Sequence, residues 1–452
     1  MRFTLLNCFA FLLAAVVFET VRGADAPPRP NIVVILADDL GSHDIGWRGS
    51  EIKTPHLDGL ASQGARLNQF YVQPVCSPTR AALLTGRYPF RYGFQTGVVR
   101  PWAQYGLPLE ERLLPVALQE AGYETAIVGK WHLGHFQPEY LPTRRGFDHQ
   151  YGHYNGALDY FTHVRDGGFD WHRDDKENRD EGYSTALLAT EAERLIKARN
   201  REKPLFLYVP FNGVHTPLQV PEKYSEPYTQ FKGNRKTYAG MVTALDEAVG
   251  KIVSALRDEK LLANTLILFS SDNGGPNPGN LTSNGKLRAG KGTVYEGGVR
   301  VCAFANWQGK LQPGDVETPI HITDWYPTLL RLAGAKTDQA LPIDGHDIWR
   351  VLTEKAKPTH TEIVINTAPD AGAIRSGNWK LVLHGIEGGA AKVELFDLST
   401  DGSEATNLAD THPEKVKELK TRLATFASQA IAPKSAPAAP GFKSPRVWGQ
   451  AP

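Results

Sequence analysis

Two apolar runs, Ile32-Val33-Val34-Ile35-Leu36-Ala37 and Thr265-Leu266-Ile267-Leu268-Phe269-Ser270, constrain this chain more than any other feature. Each is short and continuous, the pattern of a strand buried on both faces in an α/β sheet. Each is followed by hard oxygen ligands: Asp38-Asp39 after the first, Asp272-Asn273 after the second. Paired oxygen ligands at the end of a core strand are costly unless a cation or hydrogen-bond donors satisfy them. In open α/β sheets, ligands bind beyond the carboxyl ends of strands. Two strand ends more than two hundred residues apart therefore bring four oxygen ligands to one edge. Carboxylate and amide oxygens suit Ca²⁺ or Mg²⁺ rather than Zn²⁺. Either pair taken alone also reads as a simple strand-to-loop cap.

The rest of the chain keeps an α/β rhythm. Glu124–Gly129 and Pro204–Pro210 read as strands; Leu113–Ala121, Ser184–Arg199 and Thr237–Asp258 read as helices by their apolar spacing. A chain of 452 residues, 41% hydrophobic, is long enough for two or more domains. Composition shifts near Pro342–Lys357. Beyond it, Glu362–Asn366, Trp379–His384 and Val393–Leu398 read as strands and Pro413–Ser428 as a helix, a small sheet-and-helix unit. The expected division is a signal peptide over 1–24, a catalytic domain over 25–345 and an α+β subdomain over 346–430. The Pro-, Ala- and Ser-rich stretch 431–452 reads as a disordered tail.

Arg2, the apolar run Leu5–Phe18 and the small residues around Gly23-Ala24 form a secretory signal pattern, which predicts an exported, periplasmic or secreted protein. The run is short of the roughly 20 residues that span a bilayer, so no stable membrane anchor is expected. A formal net charge of +1 gives no sign of a nucleic-acid partner. Of three cysteines, Cys8 lies in the signal segment, leaving Cys76 and Cys302. Cys302, in the apolar stretch Val299–Phe304, reads as a small core residue; a Cys76–Cys302 bridge is the alternative.

Cys76 opens the run Cys76-Ser77-Pro78-Thr79-Arg80. Proline is tolerated near a helix start. A helix from Cys76 onward places Cys76 and Arg80 on one face, at i and i+4. A nucleophile and a guanidinium at the positive end of a helix make a site for an anion. Lys130 and His132, in Gly129-Lys130-Trp131-His132, follow a strand, and in extended chain they point the same way. His215 follows the strand Pro204–Pro210, and Lys291 lies in a glycine-rich segment. Each of these is a weak signal alone.

Together they resemble the type I, formylglycine-dependent sulfatases. The run Cys-x-Pro-x-Arg-x-x-x-Leu-x-Gly, here Cys76 to Gly86, carries the resemblance. It extends through Leu36–Gly41, Thr54–Asp58, Gly122–Gly134, Leu141–Asp148, Ser271–Gly275, Glu296–Arg300, Glu394–Leu398 and Asn407–Ala409. The chain looks closest to the arylsulfatase B, or N-acetylgalactosamine-4-sulfatase, type. The resemblance implies an alkaline-phosphatase-like α/β fold: a large mixed sheet flanked by helices, with a small C-terminal antiparallel sheet and helix. It implies that Cys76 is oxidised to formylglycine by a formylglycine-generating enzyme. It further implies that Asp38, Asp39, Asp272 and Asn273 hold one Ca²⁺, with residue 76 completing the shell. Arg80 is implied to stabilise the aldehyde hydrate and the sulfate. Lys130 and His132 are implied to flank the nucleophile, and His215 and Lys291 to face the leaving-group oxygen. The hydrate would attack sulfur, forming a covalent sulfate ester that collapses to the aldehyde. The implied substrate is a sulfated carbohydrate or an aryl sulfate. Asp159, Tyr160 and Trp171, in the aromatic and acidic segment Tyr151–Asp175, are candidate sugar contacts. The alternatives are a phosphonate or phosphate monoester hydrolase of the same superfamily, and a non-catalytic sulfated-glycan-binding relative.

Overall fold

The computed structural model describes residues 29–277, 281–357, 361–368, 371–385 and 392–450; the signal segment expected over 1–24 lies outside the described residues. Four strands and one helix position the site. Strand β1 is Asn31–Ala37, helix α1 Cys76–Thr85, strand β2 Glu124–Lys130, strand β3 Leu205–Pro210 and strand β4 Thr265–Ser271. The order β4-β1-β3-β2 forms the middle of a ten-stranded sheet, and every pair within it is parallel. His149–His153 extends it in parallel beside β2. Antiparallel strands lie further out, Ala303–Asn306 beside β4 and His172–Arg173 beside His149–His153. The sheet is therefore mixed, as the resemblance implied.

Parallel strands need cover on both faces, and alternate residues of β1 supply it. Ile32, Val34 and Leu36 pack on one side with Ala81, Leu83 and Leu84 of α1. Val33, Ile35 and Ala37 pack on the other with Leu188 and Ile196 of Ser184–Ala198 and with Leu245 and Val249 of Gly233–Asp258. The register Ala37–Ser271 brings Asp38 and Asp272 out of the sheet side by side. The Asp272 N–H donates to the Ala37 carbonyl at 3.0 Å. Thus the carboxyl ends of β1, β2, β3 and β4 share one edge, where an α/β sheet collects its ligand. Cys302 is free and fully buried in the second core, and no disulfide joins it to Cys76.

The C-terminal unit is a four-stranded antiparallel sheet, Glu362–Ala368, Ala371–Ser376, Trp379–Leu383 and Val393–Asp397 in that order, under the helix Pro413–Ala427. It docks through a buried polar network on a separate three-stranded sheet, Arg300–Val301, Phe70–Tyr71 and Ile320–His321, and on the short helix Glu296–Val299 before it. Lys380, fully buried, sits 2.9 Å from Glu296 and 2.8 Å from Glu404. Tyr71 donates to Glu296 at 2.8 Å and is itself met by Arg375.

The tail corrects an expectation. Residues 431–446 are mostly exposed and without helix or strand, but the stretch is tied back to the body at several points. Ile431 and Lys434 donate backbone N–H groups to Phe90 and Gly93. Val447 bridges Phe169 in parallel, and Val447 and Trp448 are each only 2% exposed. Two large apolar side chains at the far end of the stretch give it a buried anchor that its overall composition conceals.

Candidate active site

Helix α1 starts at Cys76 with Val75 extended before it. Thr79 Oγ1 fixes the entry by accepting from the Gln73 N–H and donating to the Gln73 carbonyl, both at 3.0 Å. The Cys76 thiol donates toward Asp38 Oδ1 at 3.4 Å and Asn273 Oδ1 at 3.5 Å, and Lys291 Nζ lies 3.7 Å from its sulfur. Burial pushes the thiol well above its ordinary range; Asp272 adds to the shift, while Lys130 and Lys291 oppose it. Burial thus favours the thiol over the more nucleophilic thiolate.

Three buried carboxylates surround it, and each has a cationic partner. Lys130 Nζ meets Asp38 Oδ2 at 2.6 Å. Arg80 directs Nε and Nη2 at Asp272 Oδ2, at 3.0 and 2.8 Å, and Nη1 at the Lys130 carbonyl. Lys291 Nζ lies 2.7 Å from Asp39 Oδ1. Asp39 is in the left-handed region at φ +64°, which turns the chain sharply just past the strand; aspartate tolerates this conformation better than most residues. Burial would raise the Asp38 carboxyl, but Lys130, His215, Arg80 and Lys291 hold it well below the usual range.

One group of side chains could hold a metal ion. The ligand atoms of Asp38, Asp39, Cys76 and His215 all lie within 4.8 Å of one another. Asn273 donates its amide N–H to Asp39 Oδ1 and to the Gly274 carbonyl, leaving its oxygen turned toward Cys76. Three carboxylates against Arg80, Lys130 and Lys291 make a neutral cluster. A divalent ion would make it positive, and so receptive to an anion. Asp272 is nearby but engaged by Arg80, and His215 stands closer to the group than its sequence position suggested, with Nε2 3.6 Å from Asp39 Oδ2.

His132 and Lys130 do not point the same way along an extended chain. His132 sits at φ +60°, so the strand ends between them. Its Nε2 lies 3.0 Å from the Val99 carbonyl, and donation there leaves Nδ1 as the unprotonated nitrogen. Burial, Lys130 and Arg80 together keep the ring neutral, far below the ordinary imidazole range. His215 Nδ1 lies 2.6 Å from the Thr216 carbonyl, leaving Nε2 toward Asp39.

A cavity of about 200 Å³ opens over the cluster, lined among others by Cys76, His132, His215, Lys291, Arg100 and Arg165. The two arginines are absent from the sequence reading. Arg165 had a faint signal, since Asp166-Gly167 beside it is a hairpin turn pair; Arg100 lies in an irregular segment and had none.

The candidate sugar contacts need correction. Trp171 is fully buried, between His163 at 4.4 Å and His153 at 6.3 Å, ring centre to ring centre. Tyr160, 1% exposed, donates its hydroxyl toward the carbonyls of Asn212 and His215, both at 2.7 Å. It braces the His215 loop and offers no face to a ligand. Asp159 accepts from Phe161, Thr162 and Gln219 and so closes its own loop.

The family model described as Sulfatase matches residues 30–335. The chain is similar to arylsulfatase J of Mus musculus, 36% identical over 488 residues, covering 94% of this chain and 81% of the relative. It is similar to N-acetylgalactosamine-6-sulfatase of Mus musculus, 37% identical over 353 residues, covering 72% of this chain and 66% of the relative. Among solved structures, Ps i-CgsB in complex with k-i-k-neocarrahexaose superposes with a TM-score of 0.84 at 33% identity, covering 90% of this chain and 94% of the other.

Proposed function

Because the chain belongs to the sulfatase family and is a sulfuric ester hydrolase, we propose that it removes sulfate from a sulfated carbohydrate, with residue 76 in its formylglycine form as the nucleophile. One observation carries the reading: a buried cysteine at a helix start stands beside Asp38, Asn273 and Lys291 and lines a cavity of about 200 Å³. As formylglycine, residue 76 supplies an aldehyde hydrate, which has the second hydroxyl that serine lacks for releasing sulfate. Cys76 is 2% exposed, so its conversion by a formylglycine-generating enzyme has to precede folding. Asp38, Asp39, Asp272 and Asn273 would hold a Ca²⁺, which adds positive charge where the sulfate oxygens bind.

The chain's own groups do the rest. Arg80 and Lys130, fully buried, set a fixed positive field at the helix start. Lys291 neutralises charge building on the bridging oxygen. His215 has Nδ1–H directed at the Thr216 carbonyl; with a second proton on Nε2, as imidazolium, it is the acid that protonates the leaving group and returns to the neutral ring, and a positioned acid contributes roughly 10²–10⁴-fold. His132 Nδ1 is the base that takes the proton during sulfate release.

The substrate class is supported by the names of relatives and neighbours, an N-acetylgalactosamine-6-sulfatase and a neocarrahexaose complex. These relatives, an arylsulfatase J and a 6-sulfatase, do not single out the 4-sulfate position that the sequence suggested. Export is proposed from the N-terminal segment alone; among the described residues, no helix is long and apolar enough to cross a membrane. Comparative turnover of nitrophenyl sulfate and nitrophenyl phosphate tests the reading. Sulfate is expected to be preferred, and a preference for phosphate overturns it in favour of the phosphomonoesterase alternative.

A further inference from the structure

The cavity over Cys76 carries more positive charge than removal of one sulfate requires. Its lining includes Arg100, His132, Arg165, His215 and Lys291, and no aspartate or glutamate. Below it, Lys291 is paired with Asp39, and Arg80 and Lys130 with Asp272 and Asp38. Arg100 enters no ion pair among the described residues. Arg165 meets only Asp166, its exposed neighbour, at 3.2 Å. An exposed pair of that kind stabilises little and is readily exchanged.

Both arginines are held where they stand. The Val99 carbonyl before Arg100 lies 3.0 Å from His132 Nε2, and the Pro101 carbonyl after it lies 3.2 Å from His135 Nε2. The Arg165 carbonyl accepts from Trp448 Nε1 at 2.9 Å. The tail lies so close to this hairpin that a β-carbon on Gly168 would come within 2.5 Å of the Pro445 carbonyl. Tail and active-site loop thus fix two guanidinium-bearing backbones at one mouth, and guanidinium groups match the planar oxygens of carboxylates and sulfates.

We propose that Arg100 and Arg165 form a second anion subsite, so that the preferred glycan carries, beside the sulfate to be removed, another carboxylate or sulfate on the same or the adjoining sugar. This rests on the sulfatase reading above. The test uses the full chain carrying formylglycine at residue 76, with nitrophenyl sulfate turnover as the reporter and three competitors. These are N-acetylgalactosamine 6-sulfate, a monosulfated unsaturated chondroitin disaccharide that adds a carboxylate, and a disulfated one that adds a sulfate. The unmodified sequence is expected to bind at least one disaccharide roughly tenfold or more tightly than the monosaccharide, the scale of a charge-assisted contact. In the Arg100→Gln/Arg165→Gln variant that ratio is expected to fall toward one, while Arg350→Gln, on an exposed helix, retains it. The carboxylate and sulfate arms show which anion is read. A ratio of inhibition constants does not depend on how much of the variant folds. A ratio near one before substitution, or a ratio unchanged after it, overturns the proposal. Absence of any nitrophenyl sulfate turnover overturns the sulfatase reading first, and this proposal with it.

Discussion

Replacing Trp171 with alanine is expected to cost about 3–5 kcal/mol of stability, the usual price of a buried tryptophan, because its ring is fully enclosed. Its effect on kcat/KM should be equal for a sulfated saccharide and an aryl sulfate; a loss confined to the saccharide would restore it as a sugar contact. His153, stacked on that ring, gives a pH test. Burial lowers its pKa to about 3 from an ordinary 6.5, with Asp170 opposing. Between those values the unfolded chain binds a proton that the folded one refuses, so this contribution to stability falls as pH drops below 6.5. By about pH 4.5 the loss is about 2–3 kcal/mol. His153→Phe should lose less between pH 7 and pH 4.5 in urea unfolding, and an equal loss contradicts the assignment. The aspartates were legible because they directly follow apolar strands, where a buried charge demands a partner. Tyr160 and Trp171 were not, since the segment's composition does not say which side of an aromatic faces solvent. Arg100 and Arg165 come from segments whose meeting is set only by the tertiary fold.

Among the elements, the tail departs most from expectation. Its Pro and Ala content argues against a core, yet two residues, Val447 and Trp448, are enough to dock it against Phe169. A chain ending at residue 430 should expose the hairpin Val164–Arg165/Gly168–Phe169. The Phe169 N–H, which donates to the Arg446 carbonyl, should then exchange with solvent at least roughly tenfold faster. Unchanged exchange would mean that the tail rests there without holding anything. The central strands, by contrast, were readable to within a residue, because continuous apolar runs bounded by polar ends have few other uses. The short outer strands His172–Arg173 and Lys176–Glu177, of which the second is the sheet edge, carry no such run, and pairing alone defines them.

At the scale of the whole molecule, the buried Glu296–Lys380–Glu404 network makes one body of two units. Lys380→Met would leave Glu404 without its cation, and Glu296 with only Arg300 at 3.6 Å, among the described residues. It is expected to cost about 3–5 kcal/mol and to split a single calorimetric transition into two; one undisturbed transition would assign the docking to apolar contacts instead. Steady-state turnover of nitrophenyl sulfate, for the chain produced with a formylglycine-generating enzyme and for its Cys76→Ala variant, tests whether fold, metal ligands and modified cysteine serve one reaction. Many turnovers are expected from the first and a loss of roughly 10³-fold or more in the second; multiple turnover by the alanine variant at a comparable rate would mean that residue 76 is not the nucleophile.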